Sequence, residues 1–482
     1  MNRSLLLYPL ILIVFGVAMF LAVERGSTLD ASRPTLHAPR STSPAMQPSS
    51  GLGPSASLLA NLRQNFEDPL SRLFVQLILV VLAARACGGL MHKLGQPAVI
   101  GEMVAGILLG PSLLGWLWPN LFQLVFPPPS LGTLRMLSQI GVCLFMFVIG
   151  MELDVTQLKH QARTAFIVSQ VSILFPYLLG VLSSLWLFPR LAEPGTTFLA
   201  FALFIGISMS ITAFPVLARI LEERGLTRTA LGSTALACAA TDDVTAWTVL
   251  AFVVAIVKAG GLAPAILTIA LVVLFIALML FWVRPRVPRW LGHATLESGA
   301  PGKGAVASAV VFLFSCAFVT DVIGIHALFG AFLAGIAMPS HGEFRNALRV
   351  RLEHFSSVFL LPLFFAFTGL RTQIGLLQDT GGWLVCLALI ALATLGKLGG
   401  SMVGARMTGI NWVDSFALGT LMNTRGLVEL IALNIGYDLG ILSPRIFTML
   451  VLMALVTTIM TGPLLSLSER IRFRHALRAQ PI

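Results

Sequence analysis

Charge is what this chain has least of. Asp, Glu, Lys and Arg make up 11% of its 482 residues, against about 25% in a soluble domain. That scarcity excludes an ordinary water-soluble fold. Cysteine is sparse too. Cys87, Cys143, Cys238, Cys316 and Cys386 lie in or beside apolar stretches, with neither metal-ligand spacing nor a disulfide framework. There is no phosphate-binding glycine loop, no Ser/His/Asp order and no CxxC, so hydrolase and dithiol chemistry lose their motifs. The histidines fall mostly in loops without metal spacing, and only His160 and His341 suggest a pH-sensing role.

Apolar sequence fills the space that charge leaves. The chain is 56% hydrophobic with a mean hydropathy of +0.88, and its apolar residues come in stretches of about 20, the length that spans a bilayer. After Met1-Asn2-Arg3, residues 5–23 form a first run, read as a signal peptide or a retained anchor over 1–25. Residues 26–68 are rich in Ser, Pro, Gly and Ala and read as a disordered extracytoplasmic linker. Thirteen hydrophobic segments follow, near 70–90, 97–115, 133–152, 164–188, 196–221, 229–257, 263–283, 305–320, 322–339, 355–371, 381–407, 412–436 and 444–467. They define a transmembrane domain over 69–468, with a short basic tail at 469–482.

The formal charge of +11 would suggest nucleic acid in a soluble protein. Here the basic residues alternate between loops. One set of loops, from Lys93 through Arg219 and Arg349 to Arg478, holds eighteen; the other holds Arg135, Arg190, Lys258, Arg371 and Arg445. The positive-inside rule predicts that the first set and the C-terminus are cytoplasmic, where they also meet anionic lipid. Six spans on either side of a linking helix predict two halves related by inversion. The fifth segment contains Gly206-Ile207-Ser208-Met209-Ser210-Ile211-Thr212-Ala213-Phe214-Pro215, and the twelfth contains Gly419-Thr420-Leu421-Met422-Asn423-Thr424-Arg425-Gly426. Both are polar and Gly- or Pro-interrupted at mid-membrane. Interrupted helices at matching places in two halves point to a transporter's binding site, where freed carbonyls and half-helix ends supply partial charge.

Asp242 and Asp243 sit side by side near the middle of the sixth segment. A carboxylate at that depth is costly and marks an ion or proton pathway. Two adjacent acids titrate as a coupled pair. Lys397 interrupts the eleventh segment and needs a counter-charge, for which Asp242 is the obvious partner. That pair is either displaced by an arriving cation or a fixed structural bridge. Arg425 and Glu429, four apart on one helix face, read as a structural ion pair. Glu102 and Asp321 are weaker candidates near span ends. The glycine-rich pieces at 106–111 and 396–400 read as close helix packing in lipid.

Several of these segments together resemble the monovalent cation:proton antiporter-2 family, which has the sodium/hydrogen exchanger fold. The residues that carry the resemblance are Gly101-Glu102-Met103-Val104-Ala105-Gly106-Ile107-Leu108-Leu109-Gly110-Pro111-Ser112, residues 210–218, the Asp-Asp helix, Phe332-Leu333-Ala334-Gly335-Ile336 and Asn423-Thr424-Arg425-Gly426-Leu427-Val428-Glu429-Leu430. The last is similar to bacterial relatives of the plant cation/proton exchangers, which often carry Asn-Asp where this chain has Asp-Asp. The resemblance implies an all-α polytopic membrane protein with about thirteen transmembrane helices in two inverted repeats and crossed broken helices. It implies a homodimer in which one part moves as an elevator. It implies Asp243 as the carrier of cation and proton, Asp242 as the acid paired with Lys397, and Ser210 and Thr212 at the helix crossing. It also implies a bacterial inner-membrane protein that needs no cofactor beyond the transported Na+ or K+ and H+.

The expected function is therefore exchange of a monovalent cation for protons, with no enzymatic activity and no nucleic-acid partner. A cation channel or uniporter is the alternative, as is a proton-coupled solute carrier. A channel would show a filter-like loop, which the sequence lacks.

Overall fold

The computed structural model describes residues 68–152, 162–227, 229–258, 262–291, 301–339 and 342–478. The leader or anchor at 1–25, the linker apart from Asp68, His160, His341 and the last four residues lie outside the described residues.

Among the described residues the regular elements are helical, joined by one isolated bridge between Ala192 and Leu442. The helices used below are α1 (Pro69–Lys93), α2 (Ala98–Leu109), α3 (Leu131–Glu152), α4 (Ala162–Leu191), α5 (Phe198–Ser210), α6 (Phe214–Glu223), α7 (Ala230–Lys258) and α8 (Leu262–Ala277). They continue with α9 (Lys303–Ile323), α10 (Ala327–Ala337), α11 (Gly342–Phe355), α12 (Leu361–Arg371), α13 (Thr380–Met407), α14 (Trp412–Met422), α15 (Leu427–Asp438) and α16 (Pro444–Arg478).

Each of the thirteen hydrophobic segments contains a helix, but not each is long enough to cross a bilayer. Among the described residues eleven helices have the length and hydropathy, or up to twelve when α14 and α15, bent by 45° at their break, are taken as one span. The segment at 322–339 is the exception. Its helix α10 has 11 residues, about 16 Å at 1.5 Å per residue, roughly half the hydrocarbon thickness. Gly324 takes φ +101° and closes α9 in a left-handed cap. The chain then turns through Ile325 to His326, whose ring caps the amide of Leu328.

Packing sorts the helices into two groups. In one, α4 packs on α5, α7 and α13; α14 packs on α13 and α16; α6 lies on α7; and α15 lies on α5 and α16. In the other, α2 packs on α1 and α12, α3 packs on α10, α11 and α12, and α9 lies on α10. α8 touches α7 and α9. Between the groups contacts are sparser, with α12 meeting α15 and α2 meeting α16. Apolar burial inside a bilayer drives little association, so small residues and polar bonds decide which helices touch. A Cβ at Gly106 would lie 2.5 Å from the Ala366 carbonyl oxygen, and one at Gly400 would lie 2.9 Å from that of Val171. Both glycine-rich pieces thus serve close helix packing.

Two interruptions lie at the centre of the first group. Helix α5 stops at Ser210, Ile211 is extended, and α6 restarts at Phe214 with Pro215 in its first turn. Pro215 has no N–H to return to Ile211, so the α5 ladder cannot run through. The second interruption, residues 423–426, separates α14 from α15. The two breaks touch. The Ala213 amide donates to the Thr424 carbonyl at 2.9 Å, and the Thr212 hydroxyl donates to the Met422 carbonyl at 3.0 Å. Contact this close requires glycine at 426, where a Cβ would lie 2.9 Å from Val216 Cγ2 and 3.2 Å from Ala213 Cβ.

Candidate ion-binding site

Asp242 and Asp243 are both fully buried in α7, beside the point where the breaks meet. Their surroundings differ, because successive helical positions point about 100° apart. Asp242 is fully bonded. Its Oδ2 accepts from Lys397 Nζ at 2.9 Å and from the Thr212 amide at 3.1 Å, and its Oδ1 accepts from the Ser169 hydroxyl at 3.3 Å. Lys397, buried in α13, also donates to the Ser210 carbonyl, the last of α5. The ammonium therefore ties α7 to the orphaned C-terminal end of a half-helix, where positive charge is favoured.

Asp243 has no such set. Neither of its carboxylate oxygens has a hydrogen-bond partner among the described residues. The backbone amide of Phe214, at the start of α6, lies near this carboxylate. Burying a bare carboxylate costs several kcal/mol, and no hydrogen bond to either oxygen offsets that cost among the described residues.

Arg425 occupies the second break. It donates through Nη1 to the Ser208 carbonyl at 2.8 Å and through Nη2 to the Met209 carbonyl at 2.7 Å. Nη1 also meets Glu429 Oε1 at 3.2 Å. Lys397 and Arg425 together cover the last three carbonyls of α5. The Arg425 backbone is pinned in turn by Thr458 of α16, whose hydroxyl accepts from its amide at 3.0 Å and donates to its carbonyl at 2.8 Å.

A cavity of about 1020 Å³ lies in the seam between the two helix groups. Phe214, Pro215, Leu427 and Phe365 line it near the breaks, and Glu152, Arg219, Glu222, Arg349 and Glu353 line it toward the loops that carry most of the basic residues. One wall belongs to α2, α3, α11 and α12, and the other to α6 with Leu236 of α7. It reaches Phe214 at the start of α6, beside the first break.

The structure brings Asp242, Asp243, Ser210, Thr212, Lys397 and Arg425 to one place, with Glu429 bonded to Arg425. Ser210 and Thr212 contribute differently from what side-chain reasoning suggests. The Ser210 hydroxyl bonds back to the Gly206 carbonyl at 2.7 Å, and the Thr212 hydroxyl is used by Met422. It is the Ser210 carbonyl that meets Lys397 and the Thr212 amide that meets Asp242. Sequence reasoning missed Ser169, Thr458 and Asn423. Asn423 is fully buried at the second break, and both its side-chain polar atoms lack partners among the described residues. Polar residues inside apolar runs, such as Ser169-Gln170 and Thr457-Thr458, were the available signal. Glu102 and Asp321 lie away from the breaks, in α2 and in the last turn of α9.

A membrane-length helical bundle with two touching helix breaks, buried charge at their meeting point and a cavity leading to it is the architecture of an ion transporter rather than an enzyme. The chain belongs to the sodium/hydrogen exchanger transmembrane family, whose profile matches residues 78–467. It is an integral membrane protein of the antiporter class. It is 41% identical over 393 residues to the Na(+)/H(+) antiporter NhaS4 of Synechocystis, covering 81% of this chain and 96% of that one. It is 40% identical over 402 residues to cation/H(+) antiporter 17 of Arabidopsis thaliana, covering 83% of this chain but 48% of the plant protein. The chain thus spans nearly the whole of the first relative and about half of the second. Its fold matches the sodium/proton antiporter MjNhaP1 of Methanocaldococcus jannaschii with a TM-score of 0.61 at 14% identity, covering 83% of this chain and 98% of that one.

Proposed function

We propose that this protein exchanges a monovalent cation, Na+ or K+, for protons through one site centred on Asp243. The observation that carries this reading is the contrast within the pair. Asp242 is saturated by Lys397, Thr212 and Ser169, whereas Asp243 is fully buried with no partner for either oxygen among the described residues. A proton and a cation satisfy the same carboxylate and exclude each other there, and mutual exclusion at a site reached alternately from two sides is exchange. A bare anion crosses the low-dielectric barrier poorly, which suppresses uncoupled return. Asp242, Lys397, Arg425 and Glu429 position the breaks. The Asn423 side-chain oxygen, without a partner among the described residues, offers a further ligand.

The sparse seam between the helix groups supports an elevator-type movement of α4–α7 and α13–α16 against the rest. The cavity ends at Phe214 and Leu427, which supports an alternating site over a continuous pore. The working form in this reading is a homodimer in a bacterial inner membrane, in contact with lipid, with the basic loops and C-terminus cytoplasmic. The names of the sodium/proton and cation/proton relatives support monovalent cations as cargo.

The test is proton flux in proteoliposomes of the purified protein with an internal pH dye. Na+ and K+ are added in turn, with and without an ionophore that clamps the membrane potential. Cation-triggered proton movement is expected, and Asp243→Asn is expected to abolish it. Full exchange by that variant would sink the proposal.

A further inference from the structure

The cavity of about 1020 Å³ is lined at Glu152, Arg219, Arg349 and Glu353, toward the end of the bundle that carries most of the basic residues. At the other end of α3, where the two helix groups also meet, a separate pocket of about 20 Å³ is lined by Gln139, His326, Phe364, Asn434 and Asp438 among others. That is room for about one water molecule. A charge clamp crosses the seam there. Asp438 is the last residue of α15, the half-helix that begins at the second break. Its Oδ2 meets Arg135 Nη2 of α3 at 2.8 Å, and its Oδ1 meets Arg371 Nη2 of α12 at 2.7 Å. Both carboxylate oxygens of one helix group are thus held by two helices of the other.

Arg371 is held on every side. Its Nη1 donates to Asn434 Oδ1 at 2.9 Å, and the Asn434 amide donates to the Thr368 hydroxyl at 2.8 Å. Its guanidinium lies 4.2 Å from the Phe367 ring centroid and 5.1 Å from that of Tyr437. Its side chain is 13% exposed and that of Asp438 17%, so this arm is shielded from salt, whereas Arg135 is 43% exposed. The same helix α3 that carries Arg135 at one end carries Glu152 at the other, where Glu152 meets Arg349 at 2.8 Å on the cavity wall. Along α3 the step from Arg135 to Glu152 covers about 26 Å, most of the thickness of the hydrocarbon core.

We infer that Arg135, Arg371 and Asp438 form a latch that holds the side opposite the cavity closed, and that their separation is what opens the seam there. The latch acts on the breaks through α15, one rigid half-helix running from Leu427 to Asp438. Calling its release a step of transport rests on the exchange reading; the existence of the latch does not.

Thiol labelling tests it independently of any ion flux. Gln139→Cys is introduced beside the latch, and a membrane-impermeant maleimide is applied from that side of proteoliposomes. The parent with its native cysteines gives the background. Labelling of the introduced thiol is expected to be slow in the otherwise unaltered chain and about fivefold faster with Asp438→Asn, the scale of a lost, partly buried charge network. Arg135→Gln combined with Asp438→Asn is expected to label no faster than Asp438→Asn alone, because the two act through one contact. Equal rates with and without Asp438→Asn, with both proteins monodisperse, would overturn the latch. Should Asp438→Asn fail to fold, Arg371→Lys keeps the charge, loses the paired contacts to Asp438 and Asn434 and carries the test, unchanged labelling again overturning the proposal. An exchanger with no cation-coupled flux but accelerated labelling would retire the exchange reading and leave the latch standing.

Discussion

The two aspartates differ by one position in the chain and by everything in their surroundings. Asp242 has a buried ammonium, an amide and a hydroxyl on its two oxygens; Asp243 has none of these. A buried ion pair adds little net stability when intact, but removing one partner strands the other at a cost of roughly 3–5 kcal/mol. Lys397→Met is therefore expected to lower the thermal stability of the detergent-solubilised protein sharply. The double variant Asp242→Asn with Lys397→Met is expected to recover most of the loss. Differential scanning fluorimetry of the three proteins checks this, and a Lys397→Met protein as stable as its parent would show that the pair is not a unit. Most of this was legible in advance. A lone lysine and an aspartate pair in apolar runs call for each other on energetic grounds alone. The missing part was which atoms of Ser210 and Thr212 take part, because a helix break turns backbone groups into ligands and sequence records only side chains.

At the scale of the element, the breaks depend on Pro215 and Gly426 acting through different means. Pro215 withholds a donor from α5, and Gly426 withholds a side chain from the contact with Val216 and Ala213. The Gly426 backbone is extended, so its requirement is one of space. Gly426→Ala is expected to push α6 and the second break apart by a few tenths of an ångström. It is expected to reduce exchange by about tenfold, in line with the sensitivity of chemistry to misplacement of this size, with a smaller effect on stability. Proteoliposome flux beside a melting curve separates the two. Unaltered flux would mean that the breaks tolerate separation. The interruptions were visible as Gly, Pro and polar residues at mid-membrane. The shortness of α10 was not, because the turn at 324–326 lies within a segment that stays apolar throughout.

For the whole molecule, the seam is the feature that joins site to solvent. In the exchange reading, a cavity at one end and the proposed latch at the other describe a single state of an alternating protein. Ser357, on the cavity wall, is expected to label readily as Ser357→Cys with a hydrophilic maleimide applied from the basic-loop side. The Asp438→Asn variant is expected to slow that labelling as it speeds labelling near Gln139. Parallel changes at both positions would argue for general loosening instead of alternation.

Composition and the spacing of apolar runs were enough to determine a helical membrane protein and the buried charges that need partners, while the family followed from a resemblance of motifs. These follow from local rules: bilayer thickness sets segment length, and desolvation marks each intramembrane charge. Only the tertiary structure decided which aspartate is saturated, that Lys397 and Arg425 share the end of α5, and that Arg135, Arg371 and Asp438 converge. Each of those meetings joins residues from different helices. Their sequence separation carries no information about distance, because close packing of glycine-rich helix faces fixes it.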